Sequence, residues 1–126
     1  MYFNDLLTSG GVKMKKVVGI LLVMFAVTGC KSLDSVRATK PVNIGESDKS
    51  VNSFSSCVSG KWAGNGTPVT SLPLENGISI LVPQAMGGYD VVLDVTDNNG
   101  KTSYVLYERV PSMTSDSYEK TVLSCR

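Results

Sequence analysis

Apolar positions change their spacing along this chain, and each change marks an element. Val17 to Val27 is a charge-free apolar run that follows Lys13, Lys15 and Lys16 and ends in Thr28, Gly29 and Cys30. From Lys31 to Ser47 the residues are mostly polar, with Pro41 and Gly45 and no sustained period, which reads as a tether. Val51, Phe54, Cys57, Val58 and Trp62 then recur every three or four residues, the spacing of one helix face. Asp48 or Ser47 is the expected cap. Beyond Gly64-Asn65-Gly66 the pattern becomes strand-like. Pro68 to Glu75 reads as an edge strand; Asn76-Gly77 offers a tight turn into Ile78 to Val82.

After the break Pro83 to Gly88, Tyr89, Val91, Leu93 and Val95 alternate with Asp90, Val92, Asp94 and Thr96. Asn99-Gly100 is the strongest hairpin signal, and a two-residue turn there pairs Val95 with Tyr104 and Leu93 with Leu106. Pro111 ends the strand that begins at Lys101. Asp116 to Arg126 fits either strand or helix. Tyr118, Val122 and Cys125 at i, i+4 and i+7 favour a short helix, with Asp116 and Glu119 as a capping pair. The expected fold is α+β and two-layered: an antiparallel meander of about four strands, with an N-terminal helix and a short C-terminal helix on one face. In the tether, Val42 and Ile44 have an edge strand as their alternative.

The segment from Lys13 to Cys30 has the order of a secretory leader: cations, a short apolar stretch, then small residues. The apolar run is shorter than the roughly 20 residues a spanning helix needs. Val27-Thr28-Gly29-Cys30 resembles the lipobox of bacterial lipoproteins. That resemblance implies a diacylglyceryl group on Cys30, cleavage before it and acylation of the new amino terminus, so that lipid chains hold the domain on the membrane. Lys31 and Ser32 replace the aspartate that marks inner-membrane retention in enteric-type bacteria. The expected location is therefore the periplasmic face of the outer membrane. Met14, followed by two lysines, is a better start than Met1, so the first thirteen residues read as a start-site extension. The chain thus divides into an extension and leader (1–29), the lipidated cysteine with its tether (30–47) and a small folded domain (48–126). A tether of that size spans on the order of 25 Å.

Cleavage before Cys30 removes 29 of the 126 residues and leaves 97, enough for one small domain. The leader holds three of the 12 basic residues and one of the 11 acidic ones, leaving 9 against 10. That balance gives no basic field for nucleic acid and no polybasic lipid patch. With Cys30 carrying lipid, Cys57 and Cys125 remain as a pair in an oxidising compartment, and a disulfide is expected. Two free thiols are the alternative.

Candidate chemistry is sparse. The chain has no histidine, which removes Ser-His and Cys-His nucleophiles and the commonest metal ligand. Ser117 to Lys120 matches S-x-x-K without its companion motifs, and Gly100-Lys101-Thr102 lacks the first glycine of a phosphate loop. Asp94, Asp97, Asn98 and Asn99 read as turn chemistry rather than a calcium loop. Phe54, Trp62, Tyr89, Tyr104 and Tyr107 suit a core better than a ligand patch. Val92, Val105 and Tyr107 would lie on the sheet face opposite the core, a candidate partner surface rimmed by Asp90, Asp94 and Arg109.

Cys57-Val58-Ser59-Gly60-Lys61-Trp62, Gly88-Tyr89, Tyr107-Glu108-Arg109 and Cys125 resemble small uncharacterised proteobacterial lipoproteins, a group whose resemblance adds a class but no mechanism. The expectation is a non-enzymatic lipoprotein, without cofactor or metal, held on the membrane at Cys30 and binding an envelope protein. A small-molecule or cell-wall binding module is the alternative.

Overall fold

Asn99 and Gly100 take positive φ values of 56° and 85°, as the tightest two-residue hairpin turn requires. They join β4 (Tyr89–Asn98) to β5 (Lys101–Glu108) with Val95 opposite Tyr104 and Leu93 opposite Leu106, the expected register. The structure, a computed structural model, describes residues 33–126, which form one unit. Cys30 and the leader lie outside the described residues. Outward from the central hairpin, β3 (Gly77–Pro83) pairs with β4 and β2 (Thr70–Leu74) with β3. On the other side β1 (Asn43–Ser47) pairs with β5, completing an antiparallel sheet ordered β1-β5-β4-β3-β2.

The sheet therefore has five strands rather than four, and the added strand comes from the stretch expected to be a tether. Its physical reason is Gly45. This residue sits directly opposite Tyr104 in the ladder, and a Cβ there would come within 2.6 Å of the tyrosine oxygen. Glycine leaves room for the ring, and Tyr104 closes the contact by donating its hydroxyl proton to Asn43 Oδ1 at 2.8 Å.

Two α-helices cover one sheet face. Helix α1 (Val51–Gly64) is capped by Ser50, whose hydroxyl accepts the Ser53 N–H at 3.1 Å; the cap lies two or three residues beyond the expected Asp48 or Ser47. Phe54, Val58 and Trp62, four apart, are buried against Ile80, Val82, Val91, Leu93, Val95, Tyr104 and Leu106. Each such side chain contributes on the order of 1.5–3 kcal/mol by leaving water. Helix α2 (Ser117–Cys125) follows a 3₁₀ turn at Pro111–Met113 and lies against α1. Tyr118 meets the Trp62 ring edge-on at 5.3 Å, and Val122 and Cys125 are buried. Asp116 stands at the cap position but makes no capping hydrogen bond; its carboxylate pairs with Lys120 instead. Cys57 and Cys125 form the disulfide, closing a loop of 68 residues between the two helices.

Two local expectations need correction. The turn between β2 and β3 is Glu75–Asn76, one residue before Asn76-Gly77. Gly77 already belongs to β3, where a Cβ would collide with the Val95 carbonyl oxygen, so the glycine answers a close backbone approach. Tyr89 does not share a face with Val91. The β3–β4 register shifts where Val82 pairs with Val91 and Pro83 with Tyr89, leaving Asp90 as the extra residue. Such a bulge turns Tyr89 to the opposite face.

Candidate functional site

The sheet face away from α1 and α2 carries alternate residues of the central strands: Leu81 of β3, Val92 of β4, Val105 and Tyr107 of β5. Sequence reasoning left this face open as a partner surface, and the structure covers much of it. Residues 33–37 are helical, and Val36 packs at 1% exposure on Leu81 and Val92, both 0% exposed, with Leu33, Tyr89 and Tyr107 around them. Val92 is therefore core, and the tether expected over residues 31–47 is folded from residue 33. Val105 and Tyr107 are half-buried.

Arg37 fixes this cover. Its Nε and Nη2 donate to the two carboxylate oxygens of Asp94, each at 2.9 Å, and Nη2 also donates to Ser79 Oγ at 2.7 Å. Ser79 donates its hydroxyl proton to Asp94 Oδ1. A forked guanidinium–carboxylate pair is among the stronger polar contacts a protein surface offers, and Asp94 holds Arg37 above its ordinary pKa. Asp94 is thus the anchor of the N-terminal segment. An isolated arginine on a polar stretch gave no sequence signal for this pairing; the apolar Val92 and Leu81 on the supposed solvent face were the available hint.

What remains open is a strip at the edge: Ile44 of β1, 67% exposed, lies directly opposite Val105 of β5. Tyr107 continues the same face of β5.

At the sheet end that carries the Glu75–Asn76 and Asn99–Gly100 turns, an open groove of about 1010 Å³ runs beside the start of α1. Ser47, Asp48, Ser50, Asn52, Asn76 and Asp97 are among its lining residues. Asn76 bridges its two turns, donating from Nδ2 to the Asp97 carbonyl at 3.1 Å while its own carbonyl accepts the Asp97 N–H at 2.8 Å. Lys101, from the phosphate-loop-like triplet, pairs with Asp48 at 3.3 Å on the groove wall.

The opposite end of the helix-facing layer holds a buried acid. Glu108 is 4% exposed and its Oε2 has no hydrogen-bond partner among the described residues. Burial first, and the Glu119 carboxylate second, push its pKa above the ordinary 4.5. Glu119 Oε2 itself accepts from Asn43 Nδ2 at 3.0 Å, which links α2 to β1 and, through Asn43, to Tyr104. Trp62 Nε1 is the other buried side-chain polar atom without a partner among the described residues.

Phe54, Trp62 and Tyr104 are core. In the S-x-x-K stretch, Lys120 pairs with Asp116 at 3.1 Å. No three His, Cys, Asp or Glu side chains cluster as a metal site would require among the described residues, and no helix among them is long and apolar enough to cross a membrane. No protein-family model, curated protein or solved structure matches the chain.

Proposed function

We propose that this protein is a non-enzymatic lipoprotein, anchored through Cys30 to the periplasmic face of the outer membrane, whose small domain binds another envelope protein. The observation that carries the reading is the order of the leader, with three lysines, an apolar run and Val27-Thr28-Gly29-Cys30. The Cys57–Cys125 disulfide supports it, since such a bond persists in an oxidising compartment. The partner surface is the Ile44–Val105–Tyr107 strip, with the edge of β1, unpaired among the described residues, beside it; Val92 takes no part, being buried.

In-cell crosslinking from a photoreactive residue at position 44, followed by mass spectrometry, tests this. One stoichiometric envelope protein is expected, lost when Val105→Lys is added to the same chain. Capture of peptidoglycan fragments alone contradicts it and favours a second reading, binding of a small molecule or cell-wall fragment. The groove beside α1 supports that alternative by its size and its serine, asparagine and aspartate lining.

A further inference from the structure

The folded unit begins three residues after Cys30, at Leu33. Three residues span at most ~11 Å whatever their conformation, so a lipid on Cys30 leaves no room for the domain to stand clear of the headgroups. Which part faces them follows from the path of residues 33–37. Arg37 reaches Ser79 and Asp94, whereas Val36 sits on Leu81 and Val92, two residues further along each strand from the Asn99–Gly100 turn. Leu33, one helical turn before Arg37, therefore lies toward Tyr89 and Tyr107, with which it closes the cluster.

That sheet end also exposes apolar side chains. Met86, in the β3–β4 connection, is 95% exposed; Met113 and Val110, in the connection leaving β5, are 85% and 36% exposed. Both connections leave the sheet where β3 and β5 end and β4 begins. Two opposite-charge pairs lie close by, Arg109 with Asp90 at 3.8 Å and Lys120 with Asp116 at 3.1 Å, so part of the charge at this end is compensated.

We propose that this end, with Met86, Met113 and Val110 at its tip, seats on the lipid headgroups of the membrane that holds Cys30. The proposal rests on the lipidation reading. Tyr89 suits the same zone, with an apolar body and a polar tip. The ten residues of β4 rise ~30 Å, so the groove at the Asn99–Gly100 end opens away from the membrane. The lipid provides residence on the bilayer, and the apolar tip provides orientation.

The test uses the full lipidated chain in phosphatidylcholine–phosphatidylethanolamine vesicles. Met86→Cys, Met113→Cys and, at the far end, Glu75→Cys each introduce a free thiol for an environment-sensitive fluorophore. All three parent residues are exposed, so folding is retained, and a disulfide-linked peptide of Cys57 and Cys125 verifies it. Labels at positions 86 and 113 are expected to shift to the blue and to be quenched by spin-labelled lipid several-fold more than the label at 75, independently of salt. Equal quenching at all three positions, on protein whose intact mass includes the lipid, overturns the seating while leaving the anchor intact. A mass without lipid overturns the anchor and the seating together.

Discussion

Replacing Val36 with alanine separates a folded N-terminal clasp from a tether. Val36 is 1% exposed and packs on Leu81 and Val92, which are fully buried. The substitution removes two methyl groups, each worth ~0.8 kcal/mol on burial. The space left beneath a short helical stretch collapses only in part and adds to the loss. The expected destabilisation is about 2 kcal/mol. Urea unfolding followed by fluorescence of Trp62, the chain's one tryptophan, measures it, and an unchanged denaturant slope assigns the loss to stability alone. Because Val36 and Val92 touch, Val36→Ala and Val92→Ala combined should fall short of additivity by ~1 kcal/mol. A Val36→Ala loss below ~0.5 kcal/mol, the range of ordinary surface changes, would refute the clasp and restore the tether.

Further outcomes follow from other contacts. Glu108 has its folded pKa raised above its unfolded value, so its contribution to stability is fully present below the unfolded value and lost as pH rises through the folded one. Wild-type protein should therefore lose stability as pH rises from about 4.5, and Glu108→Gln should flatten that slope in thermal melts taken across pH; an unchanged slope assigns it to another group. Removing the disulfide by Cys57→Ser with Cys125→Ser opens a 68-residue loop and should cost about 4 kcal/mol in the chain-entropy model, with α2 amides the first to lose protection in hydrogen exchange. Gly77→Ala sets a Cβ against the Val95 carbonyl and should cost more than ~2 kcal/mol, read by denaturant melts. Gly64→Ala, where a Cβ meets nothing, is its control.

The central hairpin was legible because its turn is chemically exacting: Asn99 and Gly100 both tolerate positive φ, and a two-residue turn leaves one register that aligns Val95 with Tyr104. Helix α1 was legible from Phe54, Val58 and Trp62. Residues 33–47 were not, because their structure depends on distant partners. Val36 is a single apolar residue among polar ones, Arg37 finds Asp94 far along the chain, and Gly45 makes sense only opposite the Tyr104 ring. Tyr89 was misplaced because a bulge at Asp90 leaves no mark on an alternating pattern. For the candidate surface, Val92 and Tyr107 were correctly assigned to the second face. Whether that face was covered depended on a segment whose composition reads as solvent-exposed.

The attachment of a disulfide-closed domain directly behind a lipidated Cys30 is tested most directly by the mass of the protein purified from membranes, with its tryptic fragments under non-reducing conditions. The prediction is a chain that begins at Cys30, a Cys30–Lys31 peptide heavier by its acyl groups, and a linked pair of peptides containing Cys57 and Cys125. An unmodified Cys30 inside an uncleaved leader, or a chain that begins elsewhere, would contradict it.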